Sequence, residues 1–359
     1  MKSNLAVRYR IPMLIAGFIS LLSGIYIGLT RLGWNFPLHT AAQFELHGVL
    51  MVCGFLGTLI SMERAVAIGE RWAYAGPLAS AAGAVLLVTG HAPWTGAAAA
   101  SAASAILIAA SAKIYLKQRE LFTLTLLLAA ICWLTGCILW LAGFKPIQSV
   151  PWWMGFLILT IVGERLELSR FLQPARGSKG LFIASLLLFL TGTCVASLGE
   201  LHDFRLLAAS FIALSIWLAR NDIVRRTLRQ QGLTRFIAVA LSCGYIWLFS
   251  AGLIGVCLPQ LHPGSSYDAF SHAVFIGFVF SMIFGHAPII FPAVSKIRIP
   301  YHPSFYLPLF VLQLSLALRI SGDLLFIANL RKAGGMLHAA AIALFIVSLA
   351  GAALFNKKM

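Results

Sequence analysis

The chain has 359 residues, of which 60% are hydrophobic and 11% charged, and its mean hydropathy is +0.90. This composition excludes a soluble domain with one buried core and is typical of a polytopic membrane protein. A formal net charge of +16 would favour nucleic acid as the partner of a soluble protein. Here the Lys and Arg residues lie in short loops between apolar runs, so we interpret the charge as a topology signal and expect no nucleic-acid partner.

Apolar runs of about 18 to 25 residues are long enough to cross a bilayer as helices. The sequence predicts twelve such helices, near residues 11–30, 47–68, 73–91, 94–116, 121–143, 152–173, 180–199, 203–220, 235–257, 269–293, 304–326 and 334–355. The first run is too long for the apolar region of a cleaved signal peptide, so we interpret it as the first span. Because the connections are short, we expect consecutive helices to be antiparallel neighbours in the lipid bilayer.

The positions of the basic residues predict the orientation. If the N-terminus is cytoplasmic, most of the 27 Lys and Arg residues fall at cytoplasmic helix ends, including the loop 220–235 and the tail 356–359. This is the positive-inside pattern. We therefore expect a multi-pass protein of a bacterial inner (cytoplasmic) membrane with both termini in the cytoplasm.

Three of the predicted helices share a sequence pattern. The second reads GFLGTLISMER from Gly54, the sixth reads GFLILTIVGER from Gly155, and the tenth reads GFVFSMIFGHA from Gly277. The shared pattern predicts an all-α fold with twelve transmembrane helices in a threefold pseudo-repeat of four helices. The chain would then be one transmembrane domain, residues 1–359, with repeats at about 1–118, 119–232 and 233–359.

Nine residues after each glycine stands a side chain that can bind a metal, namely Glu63, Glu164 and His286. If the repeat is real, the three lie at one depth near the cytoplasmic side, where they predict an inner site for iron or copper. The alternative is that Glu63–Arg64 and Glu164–Arg165 are interfacial ion pairs with snorkelling arginines and nothing bound. Pro288 breaks the helix beside His286, which favours a protein-lined or cavity-lined position for that imidazole.

The outer half carries a second pair of candidates. His272 and His286 are 14 residues apart, which places them on one helix face and about 21 Å apart along the axis. His272 is therefore at the outer end, where His47 on the second helix lies at a similar depth. Two imidazoles from two helices predict the axial ligands of a six-coordinate haem. The alternative is that each histidine is a hydrogen-bonded packing residue.

The remaining histidines and the cysteines carry weaker signals. We interpret His39, His202 and His262 as solvated loop residues, and we expect His91 and His338 to be buried near the haem. The six cysteines show no metal-binding spacing, so the sequence favours small buried residues, without a disulfide framework or a zinc site.

With HGVLM on helix 2, a matching histidine on helix 10, twelve helices and a three-times-four repeat, the chain resembles subunit I of the haem–copper oxidase superfamily. It is more similar to the short single-subunit NnrS proteins, which contain haem and copper and are associated with nitric oxide. The resemblance implies that His47 and His272 hold a low-spin haem b, and that Arg319 pairs with outward-pointing haem propionates. An internal pair of Arg319 with Asp323 is the alternative.

The sequence also departs from the oxidases. Helices 6 and 7 lack the three copper-ligating histidines, which argues against a conventional oxygen-reducing centre. The inner site would then hold a second haem, copper or non-haem iron. We expect electron transfer, or binding or reduction of a diatomic gas such as nitric oxide, with quinol or an extracytoplasmic protein as electron donor. The competing hypothesis is a membrane transporter or a proton or ion channel that uses the intramembrane Glu and His residues.

Overall fold

The computed structural model describes residues 4–37, 44–170, 172, 177–199, 203–258, 261 and 263–355. Throughout these residues the chain is α-helical with short π and 3-10 segments, and no sheet is formed by them. The predicted all-α class is therefore confirmed. The bounds of the twelve main helices follow the predicted apolar runs to within a few residues at most ends. An apolar run in lipid has no water to hydrogen-bond its backbone, so the run folds as a helix over its length.

We number these helices α1 to α12 in chain order. Their bounds are Val7–Arg31, Leu46–Ile68, Ala75–Val88, Pro93–Lys117, Leu121–Leu141, Pro146–Ser169, Ser178–Leu198, Arg205–Asn221, Gly232–Cys257, Ser265–Ser295, Tyr306–Leu324 and Ala328–Phe355. Short helical turns at Arg71–Tyr74, Val224–Thr227 and Pro303–Phe305 lie between them.

Ten helices within the described residues are long and apolar enough to cross a membrane, so the chain is a multi-pass membrane protein. The two main helices that fall short are α3, with 14 residues, and α8, with 17. At 1.5 Å per residue they measure about 21 and 26 Å, less than the roughly 30 Å of a hydrocarbon core. The prediction of twelve full spans is therefore met only in part, because an apolar run does not fix how much of it is helical.

Two helices widen into π-helix one or three residues after a histidine, His272 in α10 and His47 in α2. Residues Leu50–Leu56 of α2 and Ala273–Phe280 of α10 are π-helical, and each segment begins four residues before the glycine of its Gly-Phe pair. The corresponding helix α6 is α-helical throughout Pro146–Ser169. π-helix is rare and is concentrated at functional sites. The backbone thus repeats between α2 and α10, while the threefold repeat stays a prediction.

Polar side chains of neighbouring helices form hydrogen bonds to, or beside, the π-helical segments. The Ser20 hydroxyl donates to the Leu50 carbonyl at 2.8 Å, and the Ser80 hydroxyl donates to the Cys53 carbonyl at 2.6 Å. Beside α10, the Trp247 indole N–H donates to Gln313 Oε1 at 2.7 Å. These bonds give polar groups inside the apolar bundle the partners that lipid would not supply.

The chain divides into two compact units. The first comprises Met1–Thr160 with Ile290–Ile297, and the second comprises Ile161–Ile289 with Arg298–Met359. Stacked aromatic rings fill both cores. Trp133 and Phe156 stack at 4.7 Å in the first unit, and Phe211 and Phe270 stack at 5.7 Å in the second.

Gly192 on α7 lies where α8 begins, and it provides a test of this packing. A Cβ there would lie 2.4 Å from the backbone nitrogen of Leu207 and 2.7 Å from the carbonyl carbon of Leu206. Backbone atoms cannot turn aside as a flexible side chain can, so we expect Gly192→Ala to lower the free energy of unfolding by about 1–3 kcal/mol. The measurement is denaturant or thermal unfolding of the purified protein in detergent.

Gly180 on the same helix is the matched control, since no atom lies within 4 Å of its Cβ position. Gly180→Ala should be neutral or up to about 1 kcal/mol stabilising, because alanine is the better helix former. Equal losses in the two variants would contradict the packing described for Gly192.

Candidate functional site

His47 lies in the first turn of α2, against α1. Its Nδ1 is 2.7 Å from the carbonyl oxygen of Gly24, and a Cβ on Gly28 would lie 2.7 Å from its Cε1. Because a carbonyl can only accept, Nδ1 carries the proton and Nε2 carries the lone pair. The Gly24 carbonyl and the space left by Gly28 therefore fix the position and the tautomer of this imidazole.

His272 has the same tautomer at the end of the first α-helical part of α10. Its Nδ1 is 2.8 Å from the carbonyl oxygen of Asp268, one turn earlier. The proton is again on Nδ1 and the lone pair on Nε2. A backbone carbonyl behind the ring is the usual support of a metal-ligating histidine, since it fixes the ring and raises its basicity.

His338 on α12 is a third imidazole beside this position. Its ring is buried, and it lies 6.2 Å from the His272 ring with 20° between the planes. The Ser315 hydroxyl donates to the Leu312 carbonyl and so accepts from His338 Nδ1 at 2.6 Å. His338 Nε2 is buried and has no hydrogen-bond partner. The prediction that His338 is buried is confirmed, and its lone pair is an unsatisfied acceptor next to His272.

The acidic and basic residues around His272 form a closed group. Arg319 Nε donates to Asp323 at 2.8 Å, and Arg319 Nη2 donates to Asp268 at 3.2 Å. Arg331 Nε lies 2.6 Å from the second oxygen of Asp323. Two guanidinium groups thus meet two carboxylates, and the backbone carbonyl of Asp268 also accepts the hydrogen bond from His272 Nδ1. The charge of Arg319 is matched within the protein, which favours the internal ion pair over the predicted propionate contact.

His286 lies beside a different buried charge group. Its Nδ1 is 2.7 Å from the Met282 carbonyl, and its Nε2 is 3.4 Å from Arg165 Nη1. Arg165 makes two bonds to the Asp222 carboxylate, at 2.6 and 2.7 Å. The Tyr245 hydroxyl donates to the same carboxylate. The lone pair of His286 therefore faces a cation, which disfavours a second cation at this position.

The inner metal site of Glu63, Glu164 and His286 stays a prediction, and Glu63 lies in a different compact unit from the other two residues. Within the described ranges, no three or more His, Cys, Asp or Glu side chains come together in a group that could hold a metal ion. Glu63 and Glu164 are both half-buried on α2 and α6.

Several other expectations are corrected. His91 is exposed and bonds to Thr89 at 3.0 Å, so it is not buried near a cofactor. Cys194 and Cys257 are exposed on the outside of apolar helices, where lipid would contact them, and only Cys53, Cys132 and Cys137 are fully buried. Arg165 is buried in an ion pair, not snorkelling. His39, His202 and His262 lie outside the described residues.

The family described as "Domain of unknown function (DUF8744)" matches residues 10–354, nearly the whole chain. The chain belongs to the DUF8744 family. No curated protein and no solved structure matches it. The function of this DUF8744 protein therefore has to be inferred from its own residues.

Sequence reasoning missed two members of the buried charge groups in this DUF8744 protein. Asp222 follows α8 in a region read as a basic loop, and Tyr245 lies in an apolar run without any polar motif. The one available signal was Asp222 itself, an acidic residue in the basic loop 220–235. An isolated charge of opposite sign at a helix end is a reasonable indication of an ion pair.

Proposed function

We propose that this protein is an integral membrane haem protein in which His47 and His272 ligate haem b, for electron transfer or for binding or reduction of a diatomic gas such as nitric oxide. One observation carries the proposal. Each of the two imidazoles has its Nδ1 proton held by a backbone carbonyl and lies one or three residues before a π-helical segment, in α10 and α2 respectively.

The protein's own contribution would be orientation and basicity. The Gly24 and Asp268 carbonyls hold the two rings, so that Nε2 is the nitrogen offered to iron. Haem, when bound, would supply one-electron transfer, and binding of a small gas to its iron would require one of the two imidazoles to dissociate. Arg319 is not assigned to the propionates in this proposal, because Asp268 and Asp323 already match its charge.

The proposed setting is a bacterial inner membrane with both termini in the cytoplasm, as the distribution of basic residues predicts. The electron donor would be quinol or an extracytoplasmic electron-transfer protein. An inner metal at His286 is not part of the proposal, since Arg165 lies 3.4 Å from the nitrogen that would bind it.

Ligand substitutions test the proposal. We expect His47→Ala and His272→Ala each to abolish the low-spin haem spectrum, because each removes one of two axial nitrogens. His286→Ala is the control and should keep that spectrum. The measurement is the visible spectrum and the haem content of each purified variant. An unchanged low-spin spectrum in either ligand variant would refute the assignment.

His338→Ala separates two versions of the outer site. If His338 is only a neighbour of His272, the low-spin spectrum should persist in this variant. If the spectrum disappears there and persists in His47→Ala, the second ligand is His338 and the assignment of His47 is wrong.

The second candidate function is a transporter or a proton or ion channel. The observation that favours it is the buried group of Arg165, Asp222, Tyr245 and His286, since charged residues inside membrane segments often mark ion pathways. Proton flux into liposomes that contain the purified protein would support this function, and its loss in His286→Ala would assign the pathway. The absence of flux would leave the group with a structural role.

A further inference from the structure

The segment that joins α8 to α9, residues 220–235, carries a cluster of exposed arginines and no lysine. We call it the arginine loop. Its five arginines are all exposed, and three of them are central in the loop. The three central arginines are Arg225, Arg226 and Arg229, and the flanking ones are Arg220 and Arg235. None of the five forms an ion pair with a carboxylate of the described residues.

The one acidic residue of the arginine loop does not neutralise this surface. The Asp222 carboxylate accepts from Arg165 and from Tyr245 inside the protein, and its side chain is only 1% exposed. It also accepts from the backbone N–H of Val224 at 3.0 Å, which ties the loop to the buried charge group. The surface of the loop therefore presents five positive charges that its own acidic residue does not offset.

A short helical segment places the three central arginines on one side. Residues Val224–Thr227 are helical, and the N–H groups of Leu228 and Arg229 continue the turn with bonds of 2.9 and 3.3 Å. At 100° per residue, the three central arginines lie within about 100° of one another around this segment. Val224 lies on the other side and is 4% exposed, so the segment is anchored by its apolar side and presents its arginines outward.

The arginine loop is also held close to the membrane. α8 ends at Asn221 and α9 begins at Gly232, so ten residues, 222–231, connect the two helices. α9 is long and apolar enough to cross a bilayer, which places its first turn at the edge of the hydrocarbon core. The headgroup layer adds roughly 5–8 Å on each side of that core. A helical turn within so short a connection lies in or just above this layer.

We propose that the arginine loop binds the phosphate groups of anionic phospholipids. A guanidinium group can donate two parallel hydrogen bonds to a phosphate, and it is more weakly hydrated than the ammonium group of lysine. Orientation in the membrane needs only positive charge, which lysine would supply equally well. The position of the loop favours a lipid headgroup over an acidic protein, which would approach from the aqueous side. This proposal does not rest on haem binding.

Lipid titration of the full-length protein in non-ionic detergent tests the proposal, because membrane orientation has no role there. The protein is freed of lipid and titrated with phosphatidylglycerol or with phosphatidylcholine of the same acyl chains, and native mass spectrometry measures the bound fraction. We expect tighter binding of phosphatidylglycerol. The triple variant with Arg225→Gln, Arg226→Gln and Arg229→Gln should bind it more weakly by on the order of 100-fold, at about fivefold per arginine. The corresponding triple lysine variant should lose less, since it keeps the charge.

The matched control removes three exposed positive charges elsewhere on the protein, with Arg31→Gln, Arg119→Gln and Lys145→Gln. This variant should bind phosphatidylglycerol like the wild type. Wild-type affinity in the triple glutamine variant of the arginine loop would overturn the proposal. Displacement of the lipid by millimolar glycerol phosphate would also overturn it, since the ligand would then be a soluble phosphate ester.

The wild-type protein decides the matter even if the triple variants fail to fold. Its preference for phosphatidylglycerol should shrink as the salt concentration rises from about 0.05 M to about 1 M, because salt screens exposed charges. A preference that does not change with salt would overturn the proposal. Equal binding of the two lipids would overturn it as well, and an acidic protein would then be the partner that fits the arginine loop.

Discussion

Asp222→Ala is expected to destabilise the protein by about 3–5 kcal/mol, because it leaves the buried Arg165 guanidinium without its counter-charge. The Asp222 carboxylate accepts two bonds from Arg165, one from the Tyr245 hydroxyl and one from the Val224 backbone N–H. The side chains of Arg165 and Asp222 are 4% and 1% exposed, so water cannot replace the lost partner. The measurement is thermal or denaturant unfolding in detergent.

Two further variants make this result specific. The control is Arg220→Ala, which removes an exposed arginine near the end of α8, the helix that Asp222 follows. It should change the free energy of unfolding by less than about 0.5 kcal/mol. The double variant Arg165→Met with Asp222→Leu removes both charges and should recover much of the loss, since the cost lies in an unpaired buried charge. A loss below about 1 kcal/mol in Asp222→Ala would contradict the burial of this pair.

Asp323→Ala is expected to cost a similar amount, about 3–5 kcal/mol, in the charge group beside His272. Asp323 has no exposed surface, and it pairs with Arg319 at 2.8 Å and with Arg331 at 2.6 Å. Its removal leaves two arginines for one remaining carboxylate, that of Asp268. We expect the excess positive charge to loosen the α11–α12 hairpin, and unfolding in detergent measures the effect.

The matched control is an aspartate–arginine pair at the surface. Asp203 pairs with Arg205, whose hydrogen bond holds the pKa of Asp203 below its ordinary value, but the Arg205 side chain is 62% exposed. Asp203→Ala should therefore cost no more than about 1 kcal/mol. If both aspartate variants lose the same small amount, the group around Asp323 does not stabilise the fold.

The helical architecture could be predicted because membrane spans are dictated by apolar length. The runs that became α1, α5 and α9 end where charged or turn-forming residues begin, and lipid forces such runs to be helical. The shortness of α3 and α8 could not be predicted, since 3-10 turns and loops can also be apolar. The π-helical segments could not be predicted either, because adding about one residue per turn does not change the hydropathy of an apolar run.

The site was predictable only in part. His47 and His272 stood out because imidazoles are rare in membrane helices, and in both a backbone carbonyl accepts from Nδ1, which leaves the lone pair on Nε2. The partners of Arg165 and the contact of Cys53 with Cys137 depend on which helices become neighbours. The contacting residues are 57 and 84 positions apart in the chain. Which distant helices pack against each other cannot be read from a single sequence.

The claim that His47 and His272 hold haem is tested most directly by the reduced-minus-oxidised visible spectrum of the wild-type protein. The protein should be purified from cells grown with ample haem. We expect red protein that shows the bands of a six-coordinate low-spin b-type haem. Colourless protein from the same cells, with correct folding shown by its unfolding transition, would contradict the claim.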